Sequence, residues 1–243
     1  MTSLNSKKKV AVIQPNYIPW KGYFDIINSV DIFVLYDDVQ YTRRDWRNRN
    51  KIKTPQGLSW LTVPVKAKGT YSKARINEIY IDGMKWREKH WKAIKLNYAK
   101  AKFFNTYKDF FEHLYMDEYL PGKLSEINKI FIEKINKILN IKTPIVFSST
   151  FEITGSKSER LLQLCKKLDA GIYLSGPSAK VYLDEQLFNE HGIKVEWMDY
   201  NGYPEYPQLY PPFVHEVSII DLILNTGHNA KMYMKSFGKY KSI

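Results

Sequence analysis

The sequence predicts an α/β fold: a central, mostly parallel sheet with flanking helices and a helical middle segment. Three observations predict it. Short apolar runs rich in Val and Ile are separated by helix-length amphipathic segments, the rhythm of βαβ units. Over residues 84–139 apolar side chains recur every three to four positions, the period of a helix. Hydrophobic residues make up 44% of the 243 residues, ample for a real core.

In chain order, residues 1–9 are polar and basic and read as a flexible arm. Residues 10–243 read as one α/β domain with a helical insertion at about 84–140, and no linker divides them. Residues 10–14 form the first strand, an apolar run closed by Pro15. Pro15, Pro19 and Gly22 make a rigid turn into a helix at 21–29. A second strand at 31–36 ends in Asp37-Asp38, and 42–51 is a polar, basic connection. Residues 58–65 are strand-like, with Pro64 placing their end at an edge or loop. Residues 76–81 alternate as an antiparallel edge strand would. Helices follow at 84–98, 103–115 and 123–139, the last two punctuated by Pro121-Gly122. Then come a strand at 145–147, a helix at 158–168, a strand at 171–176 and a last strand at 195–200. A Pro/Tyr-rich loop over 201–214 leads to a short helix at 217–225, closed by Gly227.

The charge balance narrows the function classes. Thirty-seven Lys and Arg against 25 Asp and Glu leave a net charge of +12, which suits polyanions such as nucleic acid, anionic lipid or pyrophosphate-bearing ligands. Arg43, Arg44, Arg47, Arg49, Lys51 and Lys53 form one basic cluster, offset only by Asp45, and residues 85–108 form another. The single cysteine, Cys165, excludes an internal disulfide and a cysteine-rich metal site and reads as a core thiol. No stretch reaches the roughly 18 apolar residues of a membrane span. The short run after Lys7-Lys8-Lys9 is broken by Gln14 and Pro15, unlike a signal peptide. A cytoplasmic protein without membrane insertion is expected, and a homo-oligomer is compatible with the chain.

The residues Gln14-Pro15-Asn16-Tyr17-Ile18-Pro19-Trp20-Lys21-Gly22-Tyr23-Phe24-Asp25 resemble the opening signature of the WbqC-like protein family. Tyr36-Asp37-Asp38-Val39-Gln40-Tyr41 and the run from Arg43 to Asn50 resemble its continuation. Trp60–Val65, Tyr173–Ser178, Tyr206–Leu209, Phe213 and Ser218–Leu222 agree in the expected order. The resemblance implies a role in bacterial O-antigen or surface-polysaccharide synthesis, in a family proposed to include a glycine transferase acting on an amino sugar. It supplies no settled catalytic set. A fainter resemblance links the first block to nucleotidyltransferase-like proteins, whose His-x-Gly-His falls here on Trp20-Lys21-Gly22-Tyr23. Both histidines are absent, so adenylate chemistry is not supported.

Ligands of open α/β sheets bind outside the carboxyl ends of the strands. Gln14, Asn16, Trp20, Lys21 and Tyr23 crowd one such end and are candidate binding residues, Lys21 for charge and Trp20 or Tyr23 for stacking. Arg43, Arg44, Arg47 and Arg49 offer forked donors for a pyrophosphate, and Gln40 and Tyr41 extend the polar rim. Ser175 and Ser178, in Ser175-Gly176-Pro177-Ser178, would cradle a phosphate or simply turn the chain. Asp37 or Asp38 would orient an amine or take its proton, or form a salt bridge to Arg43 or Arg44; adjacent strand residues face opposite ways, so one of the two is expected to face the site. His90 and His215 are the candidate histidine bases, each more readily read as a structural or surface imidazole, and none of the histidines pairs at the spacing of a helical zinc motif. The expected activity is acyl or aminoacyl (for example glycyl) transfer to the amine of a nucleotide-linked amino sugar. An activated donor is required: ATP-activated acid, thioester or aminoacyl-tRNA. The alternatives are an RNA or single-strand binding protein, with tRNA uniting the two readings, and a non-catalytic subunit of a sugar-modifying assembly.

Overall fold

A computed structural model describes residues 7–67 and 73–238. Its centre is a five-stranded sheet of β1 (Lys8–Ile13), β2 (Ile32–Leu35), β7 (Ile145–Phe147), β8 (Ala170–Ser175) and β9 (Lys194–Trp197), in the order β7-β2-β1-β8-β9. Every pairing in it is parallel, with Ala11 beside Phe33, Val12 beside Val34 and Tyr173 beside Val195. The central parallel sheet with flanking helices is the one the sequence predicts. Parallel strands are buried on both faces, which is why they read as apolar runs.

Alternate side chains feed two cores. Ala11, Phe33, Leu35 and Leu174 join the larger one, with Phe24 and Ile27 of α1 (Lys21–Asn28) and Ile220 and Ile223 of α7 (Ile219–Thr226). Val10, Val12, Val34 and Tyr173 join the other, beneath α5 (Lys157–Lys167) and α6 (Glu185–Glu190). Cys165 of α5 sits there at 0% exposure, and burial pushes its thiol up to about 12, so it is a packing residue. Phe188 of α6 stacks on Tyr173 at 5.3 Å.

Between β2 and β7 the chain builds a hairpin of β3 (Arg49–Thr54) and β4 (Gly57–Thr62), a second antiparallel pair of β5 (Val65–Ala67) and β6 (Ile79–Ile81), and the helices α2 (Lys85–Tyr98), α3 (Phe104–Met116) and α4 (Leu124–Leu139). The stripe Leu124, Ile127, Phe131, Ile135 and Leu139 presses α4 into the larger core, and Asn140 ends the helix in a left-handed conformation.

Several expected boundaries move. The connection assigned to 42–51 gives way to strand at Arg49. The 76–81 segment spends its first half in a 3-10 turn and pairs with β5, away from the central sheet. Helix α6 and the β3 strand were not foreseen. Strand β1 starts at Lys8, inside the expected arm, and residues 1–6 of that arm lie outside the described residues.

The order of the strands positions the site. The chain steps outward from β1 to β2 to β7, then crosses to β8 and β9 on the other side of β1. The direction of winding reverses between β1 and β8, and at such a switch point the loops part to leave a crevice at the carboxyl ends.

Candidate functional site

A cavity of about 620 Å³ occupies that crevice. Gln14, Asn16, Trp20, Tyr23 and Arg47 form one side, and Ser175, Gly176 and Ser178, at the carboxyl end of β8 and just beyond it, form the other. Tyr36, Val39, Lys157, Arg160, Tyr182 and Tyr200 also line it.

The loop after β1 is held from outside. Asn50 of β3 donates through Nδ2 to the carbonyls of Tyr17 (3.1 Å) and Ile18 (3.0 Å), and Ile18 takes a positive φ of 36°. Asn128 of α4 donates to Pro15 O (3.2 Å) and Arg47 O (2.8 Å). The Tyr17 amide donates to Trp46 O (2.9 Å), joining the loop to the turn that carries Arg47. Tyr23, 4% exposed, donates its hydroxyl to Gln14 O (3.0 Å), and burial raises its pKa. These bonds fix the cavity wall before any ligand arrives.

Charge within the wall is concentrated at Arg47. Its side chain is 15% exposed, and burial lowers its pKa. Nη1 donates to Asn16 Oδ1 (2.7 Å), Nη2 lies 3.4 Å from Asp45, and Nε is buried without a partner. Gln14 Oε1 is buried without a partner as well. A donor and an acceptor left unpaired on one wall are expensive unless something else pairs them. Arg160 is already spent: Nε donates to Tyr36 Oη (3.0 Å), Nη1 to Ile153 O (3.2 Å), and Nη2 pairs with Asp38.

In the first turn of α1 the space beside Gly22 is not open to a ligand. A Cβ on Gly22 would lie 2.3 Å from Trp20 Cζ2, so the space left by this glycine is filled by the indole two residues earlier. Trp20 lies edge-on to Tyr200 (5.2 Å) and Tyr203 (5.6 Å), making an aromatic corner of the cavity.

The structure does not bring every expected residue to the cavity. Lys21 lines no part of it: Nζ donates to Pro204 O (3.0 Å) and lies over the rings of Tyr203 (5.0 Å), Tyr206 (5.2 Å) and Phe213 (5.9 Å). Burial lowers its pKa to about 8, against the opposing pull of Asp25 and Asp221. Asp37 turns to the segment after β7, where Oδ1 accepts from the Ser149 amide (3.0 Å) and Oδ2 from the Ser149 hydroxyl (2.9 Å); burial nevertheless raises its pKa. Asp38 pairs with Arg160, not with Arg43 or Arg44, and does not itself line the cavity; only its partner Arg160 does.

His90 is a core residue, 5% exposed, among Tyr17, Trp86 and Tyr115. Nε2 lies 3.2 Å from Thr62 O and must donate, because a carbonyl only accepts; Nδ1 then accepts from Tyr17 Oη at 2.9 Å. Burial lowers its pKa to about 4. With both nitrogens used inside the core, it has no path to a substrate. His215 lies outside the cavity, edge-on to Phe213 (4.6 Å), with Nδ1 buried and unpartnered and its pKa lowered by burial and by Lys21. Tyr41 is buried, its amide donating to Ala74 O (2.9 Å), and Gln40 forms an isolated bridge with Arg75. Of the arginine cluster only Arg47 enters the cavity. Arg43 and Arg44 are exposed, and Arg49 stacks on Trp60 at 4.0 Å.

Among the described residues no cluster of three or more His, Cys, Asp or Glu side chains is arranged to hold a metal ion. No helix among them is long and apolar enough to cross a membrane. Tyr36, Lys157, Arg160, Tyr182 and Tyr200 were missed by sequence reasoning. The only local signal was the place of Lys157 and Arg160 on the polar face of an amphipathic helix.

Fold and site together define a doubly wound α/β protein with a preformed, arginine-bearing cavity at its switch point. The chain belongs to the WbqC-like protein family, which it matches over residues 14–233. It is 47% identical over 228 residues to the uncharacterized protein Rv1507c of Mycobacterium tuberculosis, covering 94% of this chain and 98% of that protein. No solved structure matches it.

Proposed function

We propose that the cavity binds a nucleotide-linked amino sugar and that the protein transfers an acyl or aminoacyl group, such as glycyl, to the sugar amine during surface-polysaccharide synthesis. One observation carries the binding reading: the Arg47 guanidinium, 15% exposed, lines the switch-point cavity together with Gln14. The guanidinium offers charge to a phosphate, and the Gln14 side-chain amide a hydrogen-bonding group to an amine. Lys157 adds a second cation to the cavity, and the Trp20–Tyr200 corner offers ring faces for a base or sugar. The surface-polysaccharide context rests on family membership.

In the proposed transfer the amine nitrogen attacks the carbonyl carbon of an activated donor. The C–N bond forms, the bond to the phosphate, thiolate or tRNA oxygen breaks, and the amine proton passes through a water to the Asp38 carboxylate, which Arg160 holds behind the cavity wall. Positioning by Gln14 and Asn16 does most of the work, since a neutral amine is already a competent nucleophile.

Calorimetric titration with nucleotide-linked amino sugars, followed by incubation with each donor class and mass measurement of the sugar, tests both steps. Binding and a mass increase equal to the acyl group are expected. No binding at millimolar sugar nucleotide would sink the reading; binding without transfer from any donor would leave a binding subunit.

A further inference from the structure

The β3–β4 hairpin carries a surface that the cavity does not use. Trp46 and Trp60 are 37% and 42% exposed, with ring centroids 5.4 Å apart and planes inclined by 40°. The Arg49 guanidinium lies 4.0 Å over Trp60, and Lys51 Nζ lies 5.5 Å from Trp46 and 5.2 Å from Trp60. Cross-strand register puts Lys51 directly opposite Trp60, so rings and cations alternate on one face. Arg43 and Arg44 are exposed on the adjoining turn, which Arg49 ties down by donating to Arg44 O.

Among the described residues, two carboxylates approach the cations of the hairpin. Asp45 accepts from the Trp46 amide (2.7 Å) and faces Arg47, and Glu216 approaches Lys51 only to 3.8 Å. Exposed indoles on a two-stranded hairpin need a reason, because apolar surface ordinarily leaves water. Cation–π packing accounts for the cations beside the rings but not for the exposure of the rings.

We infer that this face binds single-stranded nucleic acid, with bases stacked on Trp46 and Trp60 and phosphates held by Arg43, Arg44, Arg49 and Lys51. Base stacking needs exposed ring surface, which Trp46 and Trp60 keep even with Arg49 lying over one face of Trp60, and backbone binding needs a dense cationic track, which the same face carries. A neutral glycan would use the rings and leave the cations idle. A duplex would satisfy the cations and hide its base faces. The hairpin also holds the turn that leads from Trp46 to Arg47, so the strand would end beside the cavity mouth. The inference stands without the nucleotide-sugar reading.

The test is fluorescence anisotropy of the full chain with a labelled single-stranded RNA of about 12 nucleotides, its duplex and a neutral oligosaccharide, with salt titration. Saturable binding of the single strand, weakened steeply by salt and accompanied by tryptophan quenching, is expected. Trp60→Ala and Lys51→Ala should each raise Kd about 5- to 100-fold and leave nucleotide-sugar affinity unchanged. Trp60→Phe, which keeps a ring, should recover most of the loss. The inference is overturned by no binding at low salt, by equal binding of the duplex, or by full affinity in both alanine variants. If Trp60→Ala does not fold, the exposed pair Arg43→Ala and Arg44→Ala takes its place, with the same required loss.

Discussion

At Arg47 a guanidinium has given up most of its water for one good hydrogen bond to Asn16 and a looser contact with Asp45. A hydrogen bond to a charged group contributes roughly 1.5–3 kcal/mol. Arg47→Ala should therefore weaken nucleotide-sugar binding by about 10- to 100-fold in calorimetry. Lys21→Met should leave that affinity within about threefold, because Lys21 Nζ is committed to Pro204 O and three aromatic rings outside the cavity. Equal losses in the two variants would show that the cavity is not where the anion binds. His90 gives a pH signature. Its folded pKa of about 4 lies below the ordinary 6.5, so between those values the unfolded chain binds the extra proton. Stability should rise with pH across that window, by at most about 3 kcal/mol, and hold level above it as far as this group is concerned. Urea midpoints across the window should show the slope, and His90→Gln should flatten it. All three residues stood out in the sequence, yet only Arg47 reached the cavity. Which way a lone histidine or lysine points depends on partners such as Thr62 and Pro204, far away in the chain, and no local pattern encodes that.

At the scale of elements, the β1–loop–α1 unit was the most legible part of the molecule. A parallel strand buried on both faces must be an apolar run, and Pro15, Pro19 and Gly22 mark its exit. The role of Gly22 was not legible, because it is defined by where the Trp20 ring folds. Two effects compete in Gly22→Ala. Helix propensity favours alanine by about 1 kcal/mol. A Cβ placed 2.3 Å from the indole must displace it, which costs about 1–3 kcal/mol and moves a wall of the cavity. The variant should lose stability in urea melts and bind the sugar nucleotide more weakly; a net gain in stability would mean that Trp20 swings aside freely. Strand β3 escaped notice because Lys51 and Lys53 made it look like a solvated connection. Its inward residues, Asn50, Ile52 and Thr54, do alternate, but Asn50 faces in to hold the Tyr17–Ile18 carbonyls and breaks the apolar pattern. The polar residue that hid the strand is the one that shapes the site.

Over the whole molecule, the cavity exists because the winding reverses between β1 and β8, so its walls come from parts of the chain about 160 residues apart. Two buried aspartates keep the remaining wall in place. Asp25 of α1 accepts from the Tyr203 hydroxyl and the Lys235 (2.8 Å) and Ser236 (3.0 Å) amides. Asp221 of α7 accepts from Tyr98, Tyr206 and Gln208. Together they clamp the Pro/Tyr-rich segment that follows Tyr200. Such long-range closure was invisible in a sequence that showed only a loop packed on the surface. A ligand in the cavity must therefore tie both sides of the sheet at once. At 100 times its Kd it stabilises the fold by about 2.7 kcal/mol. For a chain of this size each kcal/mol moves Tm by about 2–4 °C, so a rise of about 5–11 °C is expected. Hydrogen exchange locates the effect. A sugar nucleotide should slow exchange both in the loop after β1 and around Ser175–Ser178, whereas single-stranded RNA should protect the β3–β4 hairpin and leave Ser175–Ser178 unchanged. Protection by the sugar nucleotide on the β1 side alone would place the ligand outside the crevice, and the switch-point reading of the site would then be wrong.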